Sequence, residues 1–196
     1  MRRLLLATLL SLAPLAATAA ESGIELTAQI KAPLADVWQA WTTNEGISGF
    51  FAPEARVEAK PGGPFEIYMN PYAAAGLKGA DDMRVLAVEP QKLLSFTWNA
   101  PPHLPQARQQ RTVVILRFAA EADGTRLSLS HLGWGSDGEW PKARAYFEKA
   151  WPNVLANLQK RFETGKPYDW TEWRAQLQRY QAAEAAKQAE AGKTQP

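Results

Sequence analysis

Two histidines, a large set of aromatic rings and no cysteine are what this 196-residue chain offers for chemistry. In Thr125-Arg-Leu-Ser-Leu-Ser-His131, alternation puts Leu127, Leu129 and His131 on one face of a strand, because residues two apart in an extended chain point the same way. An imidazole there extends a row of leucines into whatever the sheet covers, just before the turn Gly133-Trp-Gly135. With a reference pKa of about 6.5 it can hydrogen-bond a ligand or exchange a proton near neutrality. The plain alternative is a core histidine satisfied by a neighbouring backbone group or hydroxyl.

His103 lies among Pro101, Pro102 and Pro105 and reads as a solvated loop residue. Neither histidine has a carboxylate at ligand spacing, so no metal site is indicated. The absence of cysteine excludes disulfides and thiol catalysis, and Gly62-Gly63 lacks the strand-to-helix context of a phosphate loop. No catalytic residue and no cofactor are assigned.

Binding is the stronger theme. Phe65, Ile67 and Met69 share one strand face and Phe96 and Trp98 another; Trp41 and Phe50 sit on early helices, Phe147 and Trp151 on a late one. Adding Arg111, His131 and Trp134 gives a candidate ligand-binding set, with Tyr146 as a further polar group. Glu66 points away from the Phe65 and Ile67 face. The same aromatic stripes serve equally well as packing.

The elements that must position these residues are legible. Glu21 to Lys31 alternates around Ile24, Leu26, Ala28 and Ile30 as a first strand. Pro33 opens a helix through Val37, Trp38 and Trp41, and a second short helix carries Ile47, Phe50 and Phe51. Strands follow at Ala55–Ala59, Phe65–Met69, Met83–Val88, Leu93–Trp98, Thr112–Phe118 and Arg126–Leu132. Glycines in Lys60-Pro-Gly-Gly-Pro64 allow a tight hairpin, and Asp123-Gly124 marks another. Asn70 to Asp82, rich in Ala, Gly and Pro, reads as a loop. Trp140, Ala143, Phe147, Trp151, Val154 and Leu158 then recur at helical spacing in one long helix, with Pro141 in its first turn and Pro152 predicting a kink near Ala150. Trp170, Trp173, Leu177 and Tyr180 make a last stripe, with Asp169 and Glu172 at capping positions. That helix is expected to dock on the body, and Gln181 to Pro196 to fray into a disordered tail. The order of elements gives an α+β fold in which a curved antiparallel sheet of six to seven strands wraps on the long helix.

Residues 1–20 have the form of a secretory signal: Arg2 and Arg3, an apolar run from Leu4 to Leu10, and small residues up to Ala20. The run is too short to span a bilayer. Cleavage leaves no stable membrane anchor and places the protein in the periplasm or outside the cell. The two arginines carry the whole formal charge of +2, so the remaining chain is neutral and lacks the basic cluster that nucleic-acid binding needs.

Taken in order, Ile30-Lys-Ala-Pro-Leu-Ala-Asp-Val-Trp38, Ala40-Trp-Thr-Thr-Asn-Glu-Gly-Ile47, Pro61-Gly-Gly-Pro-Phe65, Val85-Leu-Ala-Val-Glu-Pro90, Leu94-Ser-Phe-Thr-Trp98 and Thr125–His131 with Gly133-Trp134 resemble the START-like (SRPBCC, Bet v 1-like) superfamily, specifically its Hsp90-ATPase-activator-homologue (AHSA1-like) type. The resemblance implies the helix-grip fold over residues 21–165, with a cavity that in relatives often takes a hydrophobic small molecule. It does not imply Hsp90 activation, since an exported copy meets neither cytosolic Hsp90 nor ATP. The chain departs from the family pattern in its signal-like start, the Asn70 to Asp82 loop and the aromatic helix and polar tail over 166–196.

The leading expectation is an exported, non-enzymatic protein holding a hydrophobic or amphipathic small molecule between sheet and long helix. One alternative is an enzyme of the polyketide cyclase or dehydratase type that uses His131. Another is a protein-interaction module that offers residues 170–180 to a partner.

Overall fold

Apolar residues at every second position build the main sheet. A computed structural model gives the structure of residues 23–193, and the signal read over residues 1–20 lies outside the described residues. Strands β1 (Ile24–Ile30), β7 (Thr112–Glu121) and β8 (Gly124–Leu132) each bury one face and expose much of the other, as an antiparallel sheet covered on one side requires. With β5 (Val85–Glu89) and β6 (Leu93–Trp98) they form a five-stranded antiparallel sheet in the order β1-β8-β7-β6-β5. Strands β2 (Glu54–Val57), β3 (Phe65–Tyr68) and β4 (Gly79–Ala80) make a second sheet. Main-chain bonds join the two: the Phe65 N–H donates to the Met83 carbonyl at 2.8 Å and the Val85 N–H to the Gly63 carbonyl at 2.9 Å.

All seven expected strands form, with ends shifted by up to three residues. The eighth, β4, corrects the reading of Asn70 to Asp82 as loop alone. It pairs with β3 through Ile67–Ala80 and Tyr68–Gly79. Composition hid it because Gly79 is chosen for close approach: a Cβ there would lie 2.3 Å from the Ile67 carbonyl oxygen, and its φ is +152°.

The two early helices are α1 (Leu34–Thr42) and α2 (Asn44–Ser48). Thr43 caps α2, its hydroxyl accepting from the Gly46 N–H at 2.9 Å. Because α2 stops at Ser48, Phe50 and Phe51 occupy the following turn and not a helical stripe. A four-residue helix that the sequence reading did not anticipate, α3 (Pro105–Arg108), is held by Glu139, whose carboxylate accepts from the Gln106 and Ala107 amides at 2.8 and 3.0 Å. Leu104 and Ala107 pack there against Trp140 and Ala143.

The long helix α4 (Trp140–Thr164) buries the expected stripe of Trp140, Ala143, Phe147, Trp151, Val154, Leu155 and Leu158. It runs through Pro152 without interruption and ends at Gly165 in the left-handed conformation. Helix α5 (Thr171–Lys193) follows, and Asp169 accepts from the Thr171 amide at 2.9 Å. It docks on the body as expected. The Trp170 indole donates to the Ser48 carbonyl at 2.6 Å, the Trp173 indole to the Met69 carbonyl at 2.8 Å, and Arg174 to Glu54 and the Pro53 carbonyl at 3.0 and 2.9 Å. The polar segment after Tyr180 does not fray at Gln181 but stays helical to Lys193, since Ala, Glu, Gln and Lys are strong helix formers even without an apolar face.

Between sheet and α4 the core is largely aromatic. Phe65 stacks on Phe96 with ring centroids 3.8 Å apart, Trp41 meets Phe50 edge-on at 5.0 Å, and all four are fully enclosed. These four expected ligand contacts are packing residues. Accordingly, Phe96→Ala is expected to lower the unfolding free energy by about 3–5 kcal/mol. Leu77→Ala, at an exposed position, should change it by less than about 0.5 kcal/mol. Urea titrations of the two variants check this contrast.

Candidate functional site

His131 is opposite Ile24 of β1 and Val114 of β7, with no exposed surface. The Trp151 indole N–H donates to its Nδ1 at 2.9 Å, and Nε2 lies 2.7 Å from the Thr112 hydroxyl. An indole nitrogen can only donate, so Nδ1 carries no proton and the hydrogen sits on Nε2. Nε2–H therefore donates to Thr112 Oγ1, and that hydroxyl faces the Trp98 carbonyl at 3.3 Å. Trp134 completes the cluster: its indole donates to the His131 carbonyl at 2.8 Å and its ring packs on the imidazole with centroids 4.2 Å apart. Burial pushes the His131 pKa down to about 3, because an imidazolium there would lose its hydration and point a second N–H at an indole donor. The plain reading of His131 is the one the geometry supports. It is a satisfied core histidine and it does not line a cavity.

The cavity lies to one side of this cluster. It holds about 460 Å³, a volume typical of small-molecule sites. Its inner wall is made of rings shared with the core: Phe51, Trp98, Phe147 and Trp151, with Phe51 stacked on Trp98 at 5.8 Å and Trp98 near Trp151 at 5.4 Å. Ile67, Met69 and Val154 extend that wall. Leu77, His103, Tyr146 and Tyr180, which keep solvent exposure, mark the open side.

Of the expected ligand contacts, Ile67, Met69, Trp98, Phe147 and Trp151 come together on this wall. Trp41, Phe50, Phe65, Phe96, His131 and Trp134 do not reach it. Arg111 borders a separate surface hollow, where its guanidinium donates to the Arg108 carbonyl at 2.7 Å. Tyr146 does line the cavity, with its ring edge-on to His103 at 5.9 Å. Cavity residues absent from the expected set include Phe51, Leu77, Lys78, His103, Val154 and Tyr180. Of these Phe51 left a signal as the neighbour of Phe50, and Val154 and Tyr180 as members of helical stripes.

One ion pair shapes the outer wall. Asp81 accepts from the Gly76 and Gly79 amides at 3.0 and 2.9 Å and meets Arg108 at 3.1 Å. Arg108 also donates to the carbonyls of Gly76, Gly79 and Ala100. Both side chains are only 11% exposed. Together they fold the segment carrying Ala73, Leu77, Lys78 and Gly79 against the cavity.

The fold and its sheet-to-helix cavity define a helix-grip protein of the START-like superfamily. The family model described as activator of Hsp90 ATPase homolog 1-like protein matches residues 31–163, and the chain belongs to that family. Among solved structures, protein MLL2253 of Mesorhizobium loti is 26% identical, with a TM-score of 0.59 over 72% of this chain and 97% of its own. CalU16 of Micromonospora echinospora is 27% identical, with a TM-score of 0.53 over 84% of this chain and 86% of its own. Protein NE0264 of Nitrosomonas europaea shares the fold at 21% identity and a TM-score of 0.59, covering 74% and 97% of the two chains. No curated protein matches the chain.

The depressed His131 pKa makes a pH prediction. The unfolded imidazole takes up a proton near pH 6.5 and the folded one only near 3, so this stabilisation is complete above about pH 6.5 and is lost as pH falls toward 3. From pH 6.5 to 4.5 the wild-type protein is expected to lose about 2–3 kcal/mol more stability than His131→Gln. Denaturant titrations of both proteins at the two pH values measure the difference.

Proposed function

We propose that this protein is an exported, non-enzymatic binding protein that holds a hydrophobic or amphipathic small molecule in the cavity between β3, β6 and α4. The observation carrying this reading is the cavity of about 460 Å³ walled by Phe51, Ile67, Trp98, Phe147 and Trp151. Such a wall rewards apolar burial by roughly 25 cal/mol for each Å² removed from water, and it needs few polar groups to orient a guest. Membership of a START-like family supports a ligand-binding domain. Export rests on the basic, apolar and small-residue order of residues 1–20.

An acid–base role for His131 has no support in the geometry. Both ring nitrogens are engaged, the ring is enclosed, and its proton affinity is far below neutrality. Residues 170–180 are anchored to the body of the protein through the Trp170 and Trp173 indoles, with Trp173 and Tyr180 still exposed.

Two measurements test the proposal. Native mass spectrometry of protein taken from the exported fraction should show a bound small molecule and a chain lacking about its first 20 residues; an empty cavity, or a full-length chain in the cytosol, would overturn the corresponding half. Tyr180→Ala, which removes an exposed part of the cavity rim, should weaken retention of that molecule about three- to tenfold with little change in melting temperature.

A further inference from the structure

The cavity wall is uneven in charge. Among the described residues, Lys78 lines it and no aspartate or glutamate does. Lys78 is half-buried, forms no ion pair among the described residues, and has its ammonium 5.3 Å from the centre of the Tyr68 ring. The two nearby acids are occupied elsewhere. Glu66 accepts from Arg56, the Tyr68 hydroxyl and the Asp82 amide, while Asp81 is used by Arg108 and two loop amides. The root of Lys78 is fixed: its carbonyl accepts from the Asn70 N–H at 2.8 Å, and the next residue, Gly79, is pinned to Asp81. With a ring face beside it and no carboxylate paired to it among the described residues, the Lys78 ammonium is open to an acidic partner.

We infer that the molecule bound in this cavity is an anionic amphiphile, an apolar ring-bearing or chain body with a single acidic group that pairs with the Lys78 ammonium. The inference rests on the binding reading above and adds the ligand's charge to it. The body lies against Phe51, Trp98 and Trp151, and the acid is at the outer wall, where it keeps contact with water. Tyr146, whose hydroxyl has no hydrogen-bond partner among the described residues, stands on the same cavity and can donate to the acid. A charge-assisted contact at such a partly dry site is worth about a factor of ten in affinity.

Two dyes with one skeleton test this: 1-anilinonaphthalene-8-sulfonate, which is anionic, and N-phenyl-1-naphthylamine, which is neutral. Fluorescence titration of the full chain should give an affinity for the sulfonate about tenfold above that for the neutral dye. Lys78→Met should abolish that preference and leave the neutral dye unchanged. Lys142→Met, which removes a charge away from the cavity, should preserve it, and Tyr180→Ala should weaken both dyes. Equal binding of the two dyes by the wild type, or a preference that survives Lys78→Met, overturns the anionic inference while the cavity reading stands. Failure of both dyes to bind overturns both.

Discussion

The bond from the Trp151 indole to the neutral imidazole of His131 is the contact on which the rest of the site depends. It runs from α4 to β8, continues through Thr112 on β7, and reaches the main chain of β6 at Trp98. A hydrogen bond in a dry interior has a narrow range of length and direction, and leaving either partner unpaired there costs more than the bond contributes. The chain of donors thus fixes both how far α4 stands from the sheet and how it is rotated. Phe147, Trp151 and Val154 face the cavity as a consequence, and a histidine that looked chemically useful acts by holding a wall in place.

That wall is completed by two parts that lie outside the main sheet and α4. The segment between β3 and β4 supplies Leu77 and Lys78, and α5, which lies beyond the matched residues 31–163, supplies Tyr180. Both are attached largely by polar contacts to main-chain carbonyls, through Arg108 in one case and Trp170, Trp173 and Arg174 in the other. The aromatic inner wall belongs to the core between sheet and α4, whereas the rim is built from the β3–β4 segment and α5. Such a division lets the rim vary without disturbing the packing that sustains the fold.

Much of the architecture was legible before any coordinates. Alternation identified seven strands, and helical spacing identified the buried stripe of α4 and the docking of α5, because burial imposes those periods directly. The cavity was only partly legible. Phe65 and Ile67 share a strand face, yet Phe65 is stacked against Phe96 and Ile67 borders open space. Phe51, and not Phe50, reaches the cavity, because the helix assumed to space them ends two residues earlier.

Sequence alone determined which residues turn inward and which family the chain belongs to, since local periodicity and an ordered set of short motifs carry that information. Whether an inward side chain meets another ring or an empty volume was decided by the tertiary structure, because it depends on how α4, the β3–β4 segment and α5 sit over the sheet. The same holds for His131. Its type announced a titratable group, but only its enclosure between Trp151 and Thr112 made it neutral and structural.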